Sequence, residues 1–451
     1  MKMLITNISF AFMIVYMSSC NQPRTNNQQT SANQPGTIAG LAEFINNIKA
    51  VDNHTHVNTI DPGDRDFDAL PIDVLFPFEL PARVRPESRV WLAAAKSIYG
   101  FTGDELNEKA IKDLTDTVTT VMKQKGEKFP EWALDQSNIE VMLANRVTMG
   151  PGLTSPRFRW VSYVDAFLFP LSNKAEAAVT PDRKKLFPYE DQLLKKYLAN
   201  LNISKLPATL DGYLKQVVTG TLEAQKKGGC IAFKFEAAYL RSLDFEKVEK
   251  HSAEEVYTHY INGGEPTHEK YKLLQDFIFR YISVEAGRLN MAIHIHSFPG
   301  AGNSFVSKDC DPLLLEPTFN DTTFNKTKFV LIHGGGTFSQ HTSAMLWKPN
   351  VYADISLLTL VCTPDQLAAV LKDWISQFPE KVIFGSDASA FGPGLGWEMS
   401  AWVASNTARQ ALYIALSEMI GRNEISLSRA KEIATMVMRT NAGKLYNLEL
   451  K

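Results

Sequence analysis

Of the nine histidines in the chain, five stand at or just beyond the end of a short apolar run: His54, His56, His294, His296 and His333. His54 and His56 form an H-x-H after Val51-Asp52-Asn53. In an extended chain, side chains two residues apart share a face, so both imidazoles can reach one metal ion. The run Ile231-Ala232-Phe233-Lys234-Phe235-Glu236 places Lys234 and Glu236 on one face in the same way. A lysine is costly to bury unpaired, which leaves two readings. One is an interior Lys234–Glu236 ion pair; the other is a lysine carboxylated by carbon dioxide that serves as an anionic, metal-bridging oxygen ligand. His294 and His296 alternate with Ile293 and Ile295, and either could ligate. Leu331-Ile332-His333 leads into Gly334-Gly335-Gly336, by itself also a phosphate-loop pattern, and Phe384-Gly385-Ser386 leads into Asp387. Imidazoles suit zinc and similar ions, and carboxylates complete such a shell. One or two divalent cations, zinc by default, are the expected cofactor.

For these side chains to meet, the runs that carry them must end around one mouth. Eight apolar, β-rich segments are found: Ala50 to His56, Ile139 to Ala144, Trp160 to Phe169, Cys230 to Phe235, Met291 to His296, Phe329 to His333, Val351 to Ile355 and Val382 to Ser386. Amphipathic stretches such as Tyr271 to Arg288 and Pro364 to Phe378 lie between several of them, with apolar residues at helical spacing. Alternation of strand and helix implies parallel strands. Eight such units predict a (β/α)8 TIM barrel, with an open doubly wound sheet as the alternative. Two connections, residues 58–137 and 172–227, are far longer than ordinary βα loops. Since loops at the carboxyl ends of barrel strands build the active site, both are expected to form a lid that sets substrate choice. Leu412 to Met419 and Leu427 to Tyr446 read as closing helices.

The order of these motifs resembles the amidohydrolase superfamily of metal-dependent barrel hydrolases, over about Gly40 to Leu448. Phe233-Lys234-Phe235-Glu236-Ala237-Ala238-Tyr239, Arg241, Pro349 to Asp354 and Asn441 to Tyr446 look more specifically like the amidohydrolase-related branch that contains the nodulin and FluG-like domains. The resemblance implies that His54 and His56 hold the first metal, with His296 as strand-five ligand and Asp387 as strand-eight carboxylate. It implies that His333 binds a second ion or polarises substrate, and that a carboxylated Lys234 bridges two ions. His294 departs from the family pattern, and it and Glu236 are further candidate ligands or substrate contacts.

Hydrolysis of a C–N amide is the reaction this implies, with Asp387 as general base then acid and His333 stabilising the oxyanion. Arg241 is expected either to bind a substrate carboxylate, as its guanidinium geometry allows, or to anchor a loop. A γ-glutamyl or other small carboxylate-bearing amide is the corresponding substrate. A metal-dependent decarboxylase of an aromatic or unsaturated acid is the alternative from the same branch; a non-catalytic ligand-binding surface lipoprotein is the alternative from another class. No G-x-S-x-G occurs, which disfavours a serine hydrolase.

Composition sets the outer limits. The 451 residues are 45% hydrophobic and 21% charged, a globular profile. Lys and Arg number 47 against 49 Asp and Glu, for a net charge of -2, without the basic excess expected of a nucleic-acid binder. Residues 1–19 have the charged start and short apolar stretch of a secretory signal, and Met17-Ser18-Ser19-Cys20 resembles a lipobox, which implies lipidation at Cys20. Residues 20–37 read as a polar tether, and residues 38–451 as one barrel domain. The expected setting is the bacterial cell envelope, with Asn21 after the cysteine favouring the outer membrane. Cys230, Cys310 and Cys362 show no paired spacing and are expected to be small buried residues.

Overall fold

The structure, a computed structural model, describes residues 38–451; the expected signal segment, Cys20 and the tether lie outside the described residues. Among the latter, eight parallel strands lie side by side in sequence order. They are β1 (Ala50–Thr55), β2 (Ile139–Asn145), β3 (Phe158–Tyr163), β4 (Cys230–Phe235), β5 (Ala292–His296), β6 (Lys328–Ile332), β7 (Val351–Asp354) and β8 (Val382–Ile383). The sheet curls until its edges meet. Asn53 N–H donates to Phe384 O at 3.0 Å, Asp387 N–H to His54 O at 2.8 Å and His56 N–H to Ala388 O at 2.8 Å. The architecture is a (β/α)8 barrel.

Two strands are shorter than the apolar runs predict. β3 stops at Tyr163 and the chain turns through Asp165–Leu168 as a 3-10 helix. Those residues are apolar because other elements cover them, Tyr213 donating to Phe167 O at 2.8 Å, and not because they pair in the sheet. β8 pairs with β7 only through Val382 and Ile383; at Phe384 the N–H turns away to Val437 O while the carbonyl still accepts from Asn53.

The barrel interior is apolar at its amino-terminal end, where Val141, Leu143, Val161, Ala232, Val330 and Ile383 meet. Leu445 and Tyr446, which close the last helix (Asn441–Leu445), enter the same cluster and plug that end. A register irregularity in β1 between Asp52 and Thr55 lets adjacent Asn53 and His54 both face inward. Asn53 Nδ2 donates to Asp354 Oδ2 at 2.8 Å, while His54 Nε2 meets Asp387.

The two long connections play different parts. The first carries its own small core, with Trp91, Leu92, Ala95 and Ile98 of the helix Arg89–Tyr99 packed on Leu395, Met399 and Val403 at the start of the long helix Trp397–Gly421. Its base is locked by Arg146, 1% exposed, which grips both oxygens of Asp64 at 2.9 Å and donates to Val57 O at 2.6 Å and Thr148 O at 2.9 Å. The second connection contributes nothing to the cavity lining described below, contrary to the expectation of a lid. Its helix Pro181–Asn200 is tied to the barrel wall by Tyr197, which donates to Tyr163 O at 2.6 Å, and Asp182 Oδ2 accepts from Ser304 N at 2.6 Å to brace the β5 loop. Cys230 and Cys310 are buried and free, Cys362 half-buried and free. Among the described residues no helix is long and apolar enough to cross a membrane.

Candidate metal centre

The carboxyl ends of the strands open into a cavity of about 750 Å³. His56, Asp68, Glu236, His296, His333 and Asp387 lie in its wall and floor. His54, wholly buried, sits just beneath, its Nε2 3.1 Å from Asp387 Oδ1, and His56 Nε2 approaches the same oxygen at 3.6 Å. Both imidazoles of the H-x-H therefore converge on one carboxylate oxygen. Donor atoms of His54, His333 and Asp387 all lie within 4.8 Å of one another, and a second such group comprises His56, Asp68 and Glu236. Lys234 is fully buried between them, its Nζ 3.4 Å from His54 Nε2 and 3.5 Å from Glu236 Oε1.

Burial, reinforced by Lys234, holds His296 and His294 down to about 3. Burial likewise brings His56 to about 4 and carries His54 and His333 well below the usual imidazole range. These rings are neutral at pH 7, the form that carries a lone pair for a metal. Burial pushes the Asp387 carboxyl up. Asp387 Oδ1 and Glu236 Oε2 are buried with no hydrogen-bond partner among the described residues. Neutral imidazoles beside orphaned carboxylate oxygens suit a divalent cation, so the donor set fits one.

The backbone is strained where it presents these groups. His333 (φ 65) and Asp387 (φ 59) both occupy the left-handed region, which costs of order 1–3 kcal/mol each for non-glycine residues. Gly334, also left-handed, lets Trp374 pack against the loop, since a Cβ there would stand 2.2 Å from Trp374 Cη2. The three glycines are buried in packing and form no phosphate loop.

A hydrogen-bond chain fixes His333. Asp354 Oδ1 accepts from His333 N–H at 2.8 Å and from Ser356 Oγ–H at 2.7 Å; the Ser356 oxygen then accepts His333 Nδ1–H at 2.9 Å. The ring proton is thereby held at Nδ1 and Nε2 keeps its lone pair. This favours a ligand role over the expected oxyanion-donor role. Ser356→Ala is expected to weaken metal affinity about 10–100-fold, read by calorimetric titration of metal-stripped protein.

Two expected site residues, His294 and Arg241, are placed differently. His294 lies below the floor: its Nε2–H donates to Tyr446 Oη at 2.7 Å, and Tyr446 donates onward to Asn53 Oδ1. It does not line the cavity, so it is not a substrate contact. His296 does line it; its Nε2–H donates to Phe298 O at 2.8 Å, which leaves Nδ1 as the free lone pair. Arg241 is 3% exposed and spends its guanidinium on Gln275 Oε1 and Asp244 O, both at 2.9 Å, and Asp276 Oδ1 at 2.7 Å. With Nε on Ser242 O as well, four of its five N–H donors are engaged; it anchors the loop after β4 to the helix His268–Arg288 and does not line the cavity, so it is not placed to bind a substrate carboxylate. Sequence reasoning missed Asp68, although the segment that carries it stood out as an insertion. It also missed Tyr239, which lines the cavity with its ring 4.8 Å from that of His296.

Residues 262–448 match the family model described as Amidohydrolase. Over that part the chain resembles the amidohydrolase superfamily. Its barrel resembles a proposed metal-dependent hydrolase from Lactobacillus casei ATCC 334 (TM-score 0.58, 16% identity, 90% of this chain and 97% of that one). It also resembles glucuronate isomerase from Caulobacter crescentus (0.62, 13%, 91% and 94%) and uronate isomerase from Thermotoga maritima (0.54, 16%, 90% and 96%). At such identities the likeness is one of fold. No curated protein matches the chain. Two groups of donor atoms, His54, His333 and Asp387, and His56, Asp68 and Glu236, could supply ligands to a divalent cation.

Proposed function

We propose that this amidohydrolase-superfamily enzyme hydrolyses a C–N amide whose acyl part is neutral and apolar. The observation that carries the reading is the buried, unpartnered Asp387 Oδ1, faced by two imidazole Nε2 atoms at the floor of a roomy cavity. When bound, a divalent ion polarises the substrate carbonyl and brings the pKa of water close to neutral. His54, His56, His296 and His333 are the imidazoles offered to it, with Asp387 as carboxylate. Asp387 Oδ1 takes the proton of the attacking water and returns it to the leaving nitrogen, a role its burial-raised affinity for a proton favours. Lys234 Nζ lies beneath the site, 3.4 Å from His54 Nε2 and 3.5 Å from Glu236 Oε1, and Ser356 and Asp354 hold His333 in register.

The cavity wall speaks to the acyl part. Phe67, Ile72, Phe76, Phe78, Leu80 and Val84 of the first insertion give it an apolar side. Every charged residue in the lining is acidic, Asp68, Asp73, Glu79, Glu236 and Asp387, and among the described residues no lysine or arginine joins them. A remote carboxylate would find no counter-ion there, so neither a γ-glutamyl amide nor a uronic acid suits this wall. An aromatic ring does, which keeps one second reading, decarboxylation of an aromatic acid with its carboxylate directed to the floor.

The test incubates the full chain, loaded with zinc or manganese, with N-acyl amides of graded acyl size and with hydroxylated benzoates. Released amine and carbon dioxide are both followed. Amine release, greater for aromatic than for γ-glutamyl acyl groups and lost on chelation, is expected. Carbon dioxide release alone would transfer the site to the decarboxylase reading, and cleavage that survives chelation would refute the metal-dependent one.

A further inference from the structure

We propose that Asp68 and Glu236 form a subsite for a substrate ammonium, so that the amide cleaved is an N-acyl diamine with an apolar acyl group and a cationic far end. The inference rests on the amide-hydrolase reading above and names its substrate class.

The cavity is polarised across the barrel. Glu236 follows β4 directly, and Asp68 stands beside His56, whose Nδ1 also meets Tyr163 Oη of β3 at 3.2 Å. In a closed barrel with eight strands in sequence order, β3 and β4 stand opposite β7 and β8. On that far side the lining is Leu357 and Val361 after β7 and Phe391 after β8. Leu80 and Val84 of the first insertion join Val361 and Phe391 in one apolar cluster. An apolar acyl group belongs there, and whatever projects toward β3 and β4 meets carboxylates.

Those carboxylates are spaced for an ammonium. One oxygen of Asp68 and one of Glu236 lie within 4.8 Å of each other. An ammonium about 2.8 Å from each of two oxygens, at its tetrahedral angle, spans about 4.6 Å, so it can donate to both. Asp68 Oδ1 is held by Leu70 N–H at 3.1 Å, which leaves Oδ2. Glu236 is 4% exposed and lines the cavity; Lys234 Nζ meets its Oε1 at 3.5 Å, but Oε2 is buried without a partner among the described residues. A carboxylate oxygen left so is costly unless a donor completes it. More acid stands behind. Asp165 Oδ1 accepts Glu236 N–H at 2.8 Å, while Asp165 Oδ2 and both oxygens of Glu190 are buried with no partner among the described residues. Burial first, and the neighbouring carboxylates second, push the Asp165 and Glu190 carboxyls well above their usual range. The β3 and β4 side is thus short of positive charge, which a cationic ligand supplies.

The His56 ring alone separates the subsite from the reacting end: Nδ1 faces Asp68 Oδ2 at 3.5 Å, and Nε2 faces Asp387 Oδ1 at 3.6 Å. The ammonium therefore sits a short carbon chain away from the nitrogen that Asp387 protonates. Water bonds to the carbonyl carbon as the C–N bond breaks, its proton passes through Asp387 to the leaving nitrogen, and the products are an acid and a diamine.

The experiment measures kcat/KM of the zinc-loaded full chain on three amides that share the best acyl group of the panel above. Their amine parts are diaminobutane, pentylamine, in which a methyl replaces the ammonium, and aminopentanoate, in which a carboxylate does. The cationic amide is expected to exceed the neutral one about 10–100-fold, the worth of charge-assisted hydrogen bonds, with the anionic one poorest. Asp68→Asn and Glu236→Gln are each expected to cut the cationic-to-neutral ratio about tenfold, chiefly through KM. Taking the ratio within each variant cancels any general loss of metal or fold, and Asp68→Glu, which keeps the charge, is expected to restore part of it. A wild-type ratio near one, or a preference untouched by both substitutions, would overturn the subsite and leave amide cleavage standing. If no amide of the panel is cleaved, the amide reading fails and the subsite with it.

Discussion

Asp387→Asn is expected to lower turnover by on the order of 10²–10⁴-fold, the range a general acid–base contributes, with the fold unchanged. The substitution keeps the shape of a side chain lodged between two imidazoles, so packing is conserved, but an amide cannot take a proton at Oδ1. The left-handed backbone at this position (φ 59) is one that asparagine tolerates as readily as aspartate, which makes Asn the cleanest probe. Steady-state kinetics at saturating metal, on an amide identified by the substrate panel, separate the proton role from weakened metal binding. A fall confined to KM, with kcat preserved, would remove Asp387 from the chemistry and leave it a binding residue.

Arg146→Ala is expected to have the largest effect on stability, about 3–5 kcal/mol, because it leaves the largely buried Asp64 carboxylate without a counter-ion, held only by the N–H groups of Thr59 and Asp66. The same change frees the base of the first insertion, which carries Asp68 and most of the apolar cavity wall, so metal retention should fall along with stability. Urea unfolding of wild type, Arg146→Ala and the double variant Arg146→Met/Asp64→Leu measures this. The double variant should recover a good part of the loss, since a packed apolar pair carries no desolvated charge. The pH dependence has a definite sign. Hydrogen bonds from Arg146, and its charge, hold Asp64 below its ordinary 3.8 against the opposing effect of burial. Its contribution is then complete above that value and lost as pH falls through the depressed one, so the stability gap between wild type and Arg146→Ala should narrow only in strong acid.

Much of the site was readable because barrel topology converts strand-end residues into neighbours. His54, His56, His296 and His333 are each within one residue of a strand terminus and Asp387 is four beyond β8, and the alternation of strand and helix was enough to bring them to one mouth. His294 shows the limit of that logic. It shares a face with His296, yet two residues of strand, about 6.6 Å, separate them in depth, and only the carboxyl-terminal plug decides which of the two meets the cavity. Arg241 fails for another reason: its partners Gln275 and Asp276 lie on a helix more than thirty residues away, and no local pattern announces them. Asp68 sits in a loop with no periodicity whose base is held, through Asp64, by Arg146 just past the end of β2, so its approach to Glu236 is a tertiary event. The β3 run was read too long because burial by a neighbouring helix and burial in a sheet leave the same apolar signature.

The path from Tyr446 to His333 has a bearing on how the enzyme comes into being. The phenol joins His294 to Asn53, Asn53 joins Asp354, and Asp354 seats the His333 backbone. A ligand furnished by the sixth strand is thus finished off by a side chain made more than a hundred residues later. Growing chains that have already delivered every metal-binding residue still lack the strut that steadies one of them. Activity should consequently appear late and abruptly during biosynthesis, and products ending just short of Tyr446 should accumulate as well-formed but idle barrels.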